Sequence, residues 1–327
     1  MTETTETYST VTEVPRRRHP FVNFVVRLVR EKPLGTVGAV IVLAMLFVGV
    51  FSEFVAPYRI NEMHLNARML PPSATWKLGT DMLGHDMLSQ VIYGARVSMT
   101  IGLSAAALST FISTAIGLTS GYIGGKVDLV VQRFVDAWIC FPTLILYLTL
   151  MGLIGSGYVQ LICVLGIGGG IGGSRGARAL AFWVKESAYF EAVRGIGGTT
   201  RRVILRHLLP NVLPMLIVSL TMGIGGYVLA EASLSFLGLG LPPDVPSWGG
   251  MISGSGRIHI ESAPWLVLWP GFALTLTVFG LNMFGDALRD LLDPRMRGGT
   301  GGIGGRGEKL ARRALKKRLA KPDSARH

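Results

Sequence analysis

Five stretches of the chain contain no Asp, Glu, Lys or Arg: residues 34–52, 97–125, 137–174, 208–230 and 262–285. A helix needs about 20 apolar residues to cross the hydrocarbon core of a bilayer. Four of the runs fit one crossing each, and 137–174 is long enough for two. Gly155-Ser156-Gly157, near its middle, supplies a tight turn. The pattern predicts an all-α membrane protein with six transmembrane helices. An even number places both termini on the same side.

The polar stretches between the runs decide which side. Of the 32 Lys and Arg residues, 27 lie before the first run, between the second and third, within 175–207, or after Leu288. Only Arg59, Arg68, Lys77, Arg96 and Arg257 fall opposite. Cytoplasmic segments carry the positive excess, so the N and C termini and the stretch 175–207 are expected in the cytoplasm. The formal net charge of +12 then reflects topology, and no nucleic-acid partner is expected. Composition agrees: 49% hydrophobic and 16% charged, with mean hydropathy +0.45, against about 25% charged in soluble domains.

The expected organisation is a cytoplasmic tail at 1–33, a first transmembrane helix at 34–56, and an extracytoplasmic segment at 57–96. A five-helix block at 97–288 and a basic cytoplasmic tail at 289–327 follow. The first run is too long for a signal-peptide core, and no small-residue cleavage site follows it, so it is expected to stay as an anchor. Residues 1–20 read as a disordered tail. In the second tail Leu310, Ala311, Ala314, Leu315 and Leu319 recur at helical spacing. That spacing fits a helix lying on anionic membrane lipids and a solvated cationic tail equally well. The Gly- and Pro-rich segment 231–263 is semi-apolar and is expected to fold back toward the membrane, with protein or water covering its backbone.

Three apparent catalytic signatures fail on context. Gly168-x-Gly170-x-x-Gly173 matches a dinucleotide fingerprint but lies within a charge-free run and opens no βαβ unit; close helix packing suits those glycines better. Gly172-x-Ser174-x-Gly176 matches a nucleophile elbow. Its serine would need a base at the same depth, and no histidine falls in a charge-free run. Gly124-Gly125-Lys126 lacks the spacing and hydroxyl of a phosphate loop. Cys140 and Cys163 both fall in expected spans, so neither a disulfide framework nor a metal site is indicated. Carriers that work alone place ionisable groups near the bilayer midplane. Here Glu231 and Asp286 are expected at span ends. Glu231 is a possible translocation or gate residue, though a helix-end glutamate capped by backbone is the favoured reading.

One polar stretch stands out: "YFEAVRGIGGTTRRVILRHLLPNVLP", residues 189–214. Ser187 is a fair N-cap, and Tyr189, Phe190, Val193 and Ile196 fall on one side of a short helix. Glu191 suits its first turn, Gly197-Gly198 ends it, and Thr199 or Thr200 caps the next helix. Physical reading leaves two options open. The short helix lies flat on lipid, or it docks into a groove of a cytosolic partner.

The series Glu191-Ala192-Val193, three residues, Gly197, then Leu209-Pro210 closely resembles the EAA loop of ABC importer permeases. Flanking blocks resemble the second, C-type permease of dipeptide and oligopeptide importers. They are "LGTDMLGHDMLSQVIYGARVS" (78–98), "GYIGGKVDLVVQRFVDAWICFP" (121–142), "AEASLSFLGLG" (230–240), "PSWGGMI" (246–252) and "LNMFGDALRDLLDPR" (281–295). The likeness covers about residues 20 to 297. It departs at His85, where the family usually has arginine, and at Gln90, where a basic residue is frequent. It also departs at Val193, third in the triplet, and at His207, where isoleucine is typical.

The resemblance implies a MetI-like, type I ABC importer permease in the plasma membrane. Its implied partners are a homologous second permease, two ABC ATPase subunits and an extracytoplasmic substrate-binding protein. It implies no cofactor on this chain and no catalysis by it, with ATP and magnesium held by the ATPases. Glu191, Ala192, Val193, Gly197, Leu209 and Pro210 would form the coupling element within 187–210. Relatives carry dipeptides, longer peptides, glutathione, nickel chelates or oligosaccharides. Weak polar linings of Ser, Thr, Asn and Gly are expected along a pathway that must release its cargo. The competing reading is an ion-coupled secondary transporter acting alone, which needs midplane charges.

Overall fold

The computed structural model describes residues 20–187, 190 and 199–292. Among these, ten helices account for nearly all regular structure: α1 (Pro20–Glu31), α2 (Pro33–Val50), α3 (Ser52–Val55), α4 (Met87–Ile123), α5 (Gly125–Ile139), α6 (Thr143–Ile154), α7 (Tyr158–Lys185), α8 (Thr200–Phe236), α9 (Trp248–Met251) and α10 (Trp265–Leu292). The all-α expectation holds for this part of the chain, where one isolated bridge pair, Thr80 with Asp86, is the β-type pairing.

By length and apolarity α2, α4, α8 and α10 can each cross a membrane, and α5 with α6 forms a further pair bent by 86°. Helix α7 is long enough but falls outside that group, because many glycines and the charges of Arg175 and Arg178 dilute its apolarity. The turn expected at 155–157 is present. The N–H of Gly155 donates to the Met151 carbonyl at φ +92°, a left-handed geometry that glycine adopts without strain. Part of the expected tail, residues 20–31, is helical. They form an amphipathic helix whose Leu28 is buried against Ala287 and Leu291 of α10.

The helices run further than the charge-free runs. Asp86 caps α4, accepting from Ser89 N at 2.8 Å, so this helix starts before Arg96, which reaches Glu53 at 2.7 Å. Helix α7 continues past Arg175 and Arg178 because α5 supplies carboxylates for both: Asp136 for Arg175, and Asp128 for Arg178 at 2.5 and 2.6 Å. The stretch between the second and third runs is therefore helix α5 rather than a loop.

Small residues let the helices approach closely. A Cβ on Gly117 of α4 would overlap the Ser174 carbonyl and stand 2.6 Å from the Ala177 Cβ of α7. On Gly38 of α2 it would lie 2.6 Å from the Gly280 carbonyl of α10. Membrane helices associate through such packing, since lipid supplies little hydrophobic driving force. The segment after α8 does fold back: Trp248 of α9 is wholly buried among Ala95, Met99 and Val228. A π-turn at Ile204–Leu208 lies within α8, just before Pro210, and Pro214 follows in the helix interior. Each proline lacks the N–H that would bond one turn back.

Candidate functional site

At one end of the bundle the expected coupling stretch has its two roots in view. Glu191, Ala192, Val193 and Gly197 lie outside the described residues. Phe190 is wholly buried in a cluster with Leu118 of α4, Ala181 and Val184 of α7, and Val203, Leu208 and Val212 of α8. The Tyr122 ring stands edge-on to it at 6.0 Å. Leu209 packs against the same cluster and Pro210 is exposed. Both ends of the loop therefore enter one apolar knot, and aromatic burial supplies the anchor. The residues that Ser187 would cap lie mostly outside the described ones. The Ser187 hydroxyl donates back to the Val184 carbonyl at 2.7 Å and so closes α7. Thr199 does hold the N-cap position of the next helix, with no side-chain cap bond. Lys185 donates to the Tyr122 carbonyl at 3.0 Å, tying α7 to the end of α4.

At the opposite end Glu231 is not a backbone-capped helix terminus. Helix α8 continues to Phe236, and the carboxyl is wholly buried among hydroxyls. It accepts from Ser98 of α4 at 3.1 Å and from Ser235 at 2.8 Å, and the Ser247 hydroxyl joins them. Ser98 also accepts from the Trp248 amide at 3.4 Å, and the Trp248 indole donates to the Val91 carbonyl at 3.1 Å. Glu231 thus lies near the end of α8, as expected, but side-chain hydroxyls rather than backbone satisfy it. Nearby, His85 pairs with Asp81 at 2.8 Å, and the other Asp81 oxygen accepts the Leu83 and His85 amides. The departure at His85 therefore belongs to a self-contained turn.

Between the two ends a cavity of about 470 Å³ runs along α4, α7 and α8. Ser109, Ser113, Ser219 and Tyr227 give it hydroxyls, and Gly169 and Gly173 a smooth wall. The lining is weakly polar. Ser174 is buried in α7 with its hydroxyl on the Ile171 carbonyl. Among the described residues no His, Cys, Asp or Glu cluster could hold a metal. Gly168 is a packing residue, its carbonyl accepting the Trp138 indole at 3.1 Å.

Comparison with known proteins decides what such a bundle is. Residues 113–298 match the family described as binding-protein-dependent transport system inner membrane component. Residues 25–72 match the N-terminal TM domain of oligopeptide transport permease C. The chain belongs to this permease family. It is 34% identical over 268 residues to the dipeptide transport system permease protein DppC of Alkalihalophilus pseudofirmus, covering 82% of this chain and 88% of that one. It is 35% identical over 271 residues to the probable D,D-dipeptide transport system permease protein DdpC of Escherichia coli, covering 83% and 91%. Against the oligopeptide transport system permease protein OppC of Bacillus subtilis it is 33% identical over 268 residues, covering 82% and 88%. The permease is a membrane subunit of an ABC importer, and transport is the role of its family.

Sequence reasoning missed several residues of the permease that the fold brings together. Phe190 was placed on an apolar face but not recognised as an anchor, and the Asp128–Arg178 pair was not seen at all. Glu231 and Ser235 lie four apart, a spacing that could have flagged one contact. Ser98 is 133 residues distant from Glu231, and no local pattern signals it.

Proposed function

We propose that the permease works beside a homologous second permease, two cytosolic ATPases and an extracytoplasmic binding protein, and carries peptides into the cell. Six crossings are proposed, with the bent α5–α6 pair counted as one and α7 as another, in a MetI-like arrangement with both termini cytoplasmic. The plasma membrane is its location. ATP and magnesium belong to the ATPases, and this chain needs no cofactor. The single observation that carries the peptide reading is similarity, over 82% of the chain, to relatives named for dipeptide and oligopeptide transport.

Coupling would run through residues 187–210, with Glu191, Ala192, Val193 and Gly197 facing an ATPase groove and Leu209 and Pro210 leading into the membrane. The buried Phe190 and Leu208 support this reading, because a loop that transmits movement needs firmly held ends. Glu231 would act as an element of the extracytoplasmic gate.

The test uses the assembled importer in proteoliposomes. Glu191→Lys and Gly197→Asp are each expected to abolish ATP-driven dipeptide uptake while the subunit still inserts and assembles. Ala192→Cys is expected to crosslink to an ATPase. Normal uptake by both variants, together with no crosslink, would remove the coupling assignment.

A further inference from the structure

The cavity along α4, α7 and α8 ends against one side chain. Among its lining residues Ser109 on α4, Gly169 on α7 and Tyr227 on α8 each lie nearest the Glu231 end of their helix. The three meet at one point. The Tyr227 hydroxyl donates to Ser109 Oγ at 2.6 Å. A Cβ on Gly169 would overlap that hydroxyl and stand 2.8 Å from the ring carbon Cζ. Behind the ring the interior is filled. Ile101 and Ala105 of α4, Leu161 and Leu165 of α7 and Leu234 of α8 share one cluster, all of them wholly buried. Tyr227 packs against this cluster and also against the one around Val228. The ring therefore stands between packed core and open volume.

From this boundary we infer that Tyr227 is a specificity-determining residue: its ring is the blind end of the cavity and limits the bulk of the peptide side chain admitted there. The inference rests on the peptide-importer reading and adds what sets the size of the cargo. Other parts of the wall can yield. Met215 and Met222 line the same cavity, and unbranched thioether side chains adapt to varied apolar groups. Tyr227 cannot yield in the same way, because its tip is hydrogen-bonded and a close-packed interior behind it leaves no room to retreat. Two changes then act in opposite directions. Shortening the side chain at 227 deepens the cavity. A methyl group on Gly169 takes the place of the hydroxyl, and with the core behind it filled, the ring is driven forward and the cavity becomes shallower.

The experiment uses the whole reconstituted importer with dialanine and diphenylalanine, each at a saturating concentration. The quantity read is the ratio of diphenylalanine to dialanine uptake. It is taken relative to the wild-type importer, so that the binding protein's own preference cancels. Tyr227→Leu keeps an apolar side chain against both clusters and is expected to raise the ratio about tenfold, the scale on which a pocket discriminates one methylene. Gly169→Ala is expected to lower it by a similar factor. Tyr227→Phe keeps the ring and should retain most of the wild-type ratio. A purely structural ring would lower both uptakes together. An unchanged ratio, a shift in the same direction in Tyr227→Leu and Gly169→Ala, or equal loss of both dipeptides, with wild-type uptake intact, would overturn the assignment of Tyr227 alone. Absence of wild-type uptake of either dipeptide would overturn the peptide reading and the assignment with it.

Discussion

At the end of the bundle that holds Glu231, segments far apart in sequence are joined by buried hydrogen bonds with defined partners: Ser98 and Ser235 to the carboxyl, Trp248 to Val91. At the end that holds Phe190, segments equally far apart are joined mainly by apolar packing around one aromatic ring. The Arg178–Asp128 pair lies beside that knot, with the arginine side chain 31% exposed. Hydrogen bonds fix direction as well as distance, whereas packing among Leu, Val and Phe depends on filling volume. The permease therefore has one end joined by directional hydrogen bonds and one end gripped by apolar packing around Phe190.

The sharpest way to break this contrast is Phe190→Ala. Deleting a fully buried aromatic costs about 3–5 kcal/mol. It should lower thermal stability in detergent and leave ATP hydrolysis running with little uptake. Next comes Glu231→Ala, expected to cost about 2 kcal/mol by stranding buried hydroxyls and measured by the same melt. Glu231→Gln keeps an acceptor and should lose less than half as much. If Glu231→Ala costs more than Phe190→Ala, the ranking of the two ends reverses. Asp128→Asn removes a partly exposed pair with Arg178 and should cost about 1 kcal/mol, seen as a small drop in melting temperature. Lys32→Ala is the mildest. Its partner Asp290 is 2.5 Å away, but both side chains are more than a third exposed, so a loss below about 1 kcal/mol is expected.

Much of this bundle was legible in the chain. The charge-free runs located α2, α4, α8 and α10, and the glycine pair around Ser156 separated α6 from α7. Helix ends were not legible, because a charge ends a run but does not end a helix whose fold supplies a counter-charge. Asp128 and Asp136 make Arg178 and Arg175 tolerable within α7, and that pairing exists only once α5 folds against it. The partners of Glu231 were missed for a related reason. They come from α4, from α8 itself and from the segment before α9, and the first of those lies 133 residues away along the chain. The apolar spacing of Tyr189, Phe190, Val193 and Ile196 was legible, yet nothing local indicated that Phe190 would be buried by Leu118 and Leu208.

Helix α8 reaches without a break from Thr200 to Phe236, 37 residues, or about 55 Å at about 1.5 Å per residue. Its foot contains the π-turn and Pro210 and Pro214, where backbone bonding is thinnest, and Glu231 is near its tip. Tilting such a rod by roughly 5° about its foot would sweep the tip through roughly 5 Å. That distance exceeds any hydrogen bond, so a modest rocking motion at the foot is enough to pull the carboxyl away from Ser98.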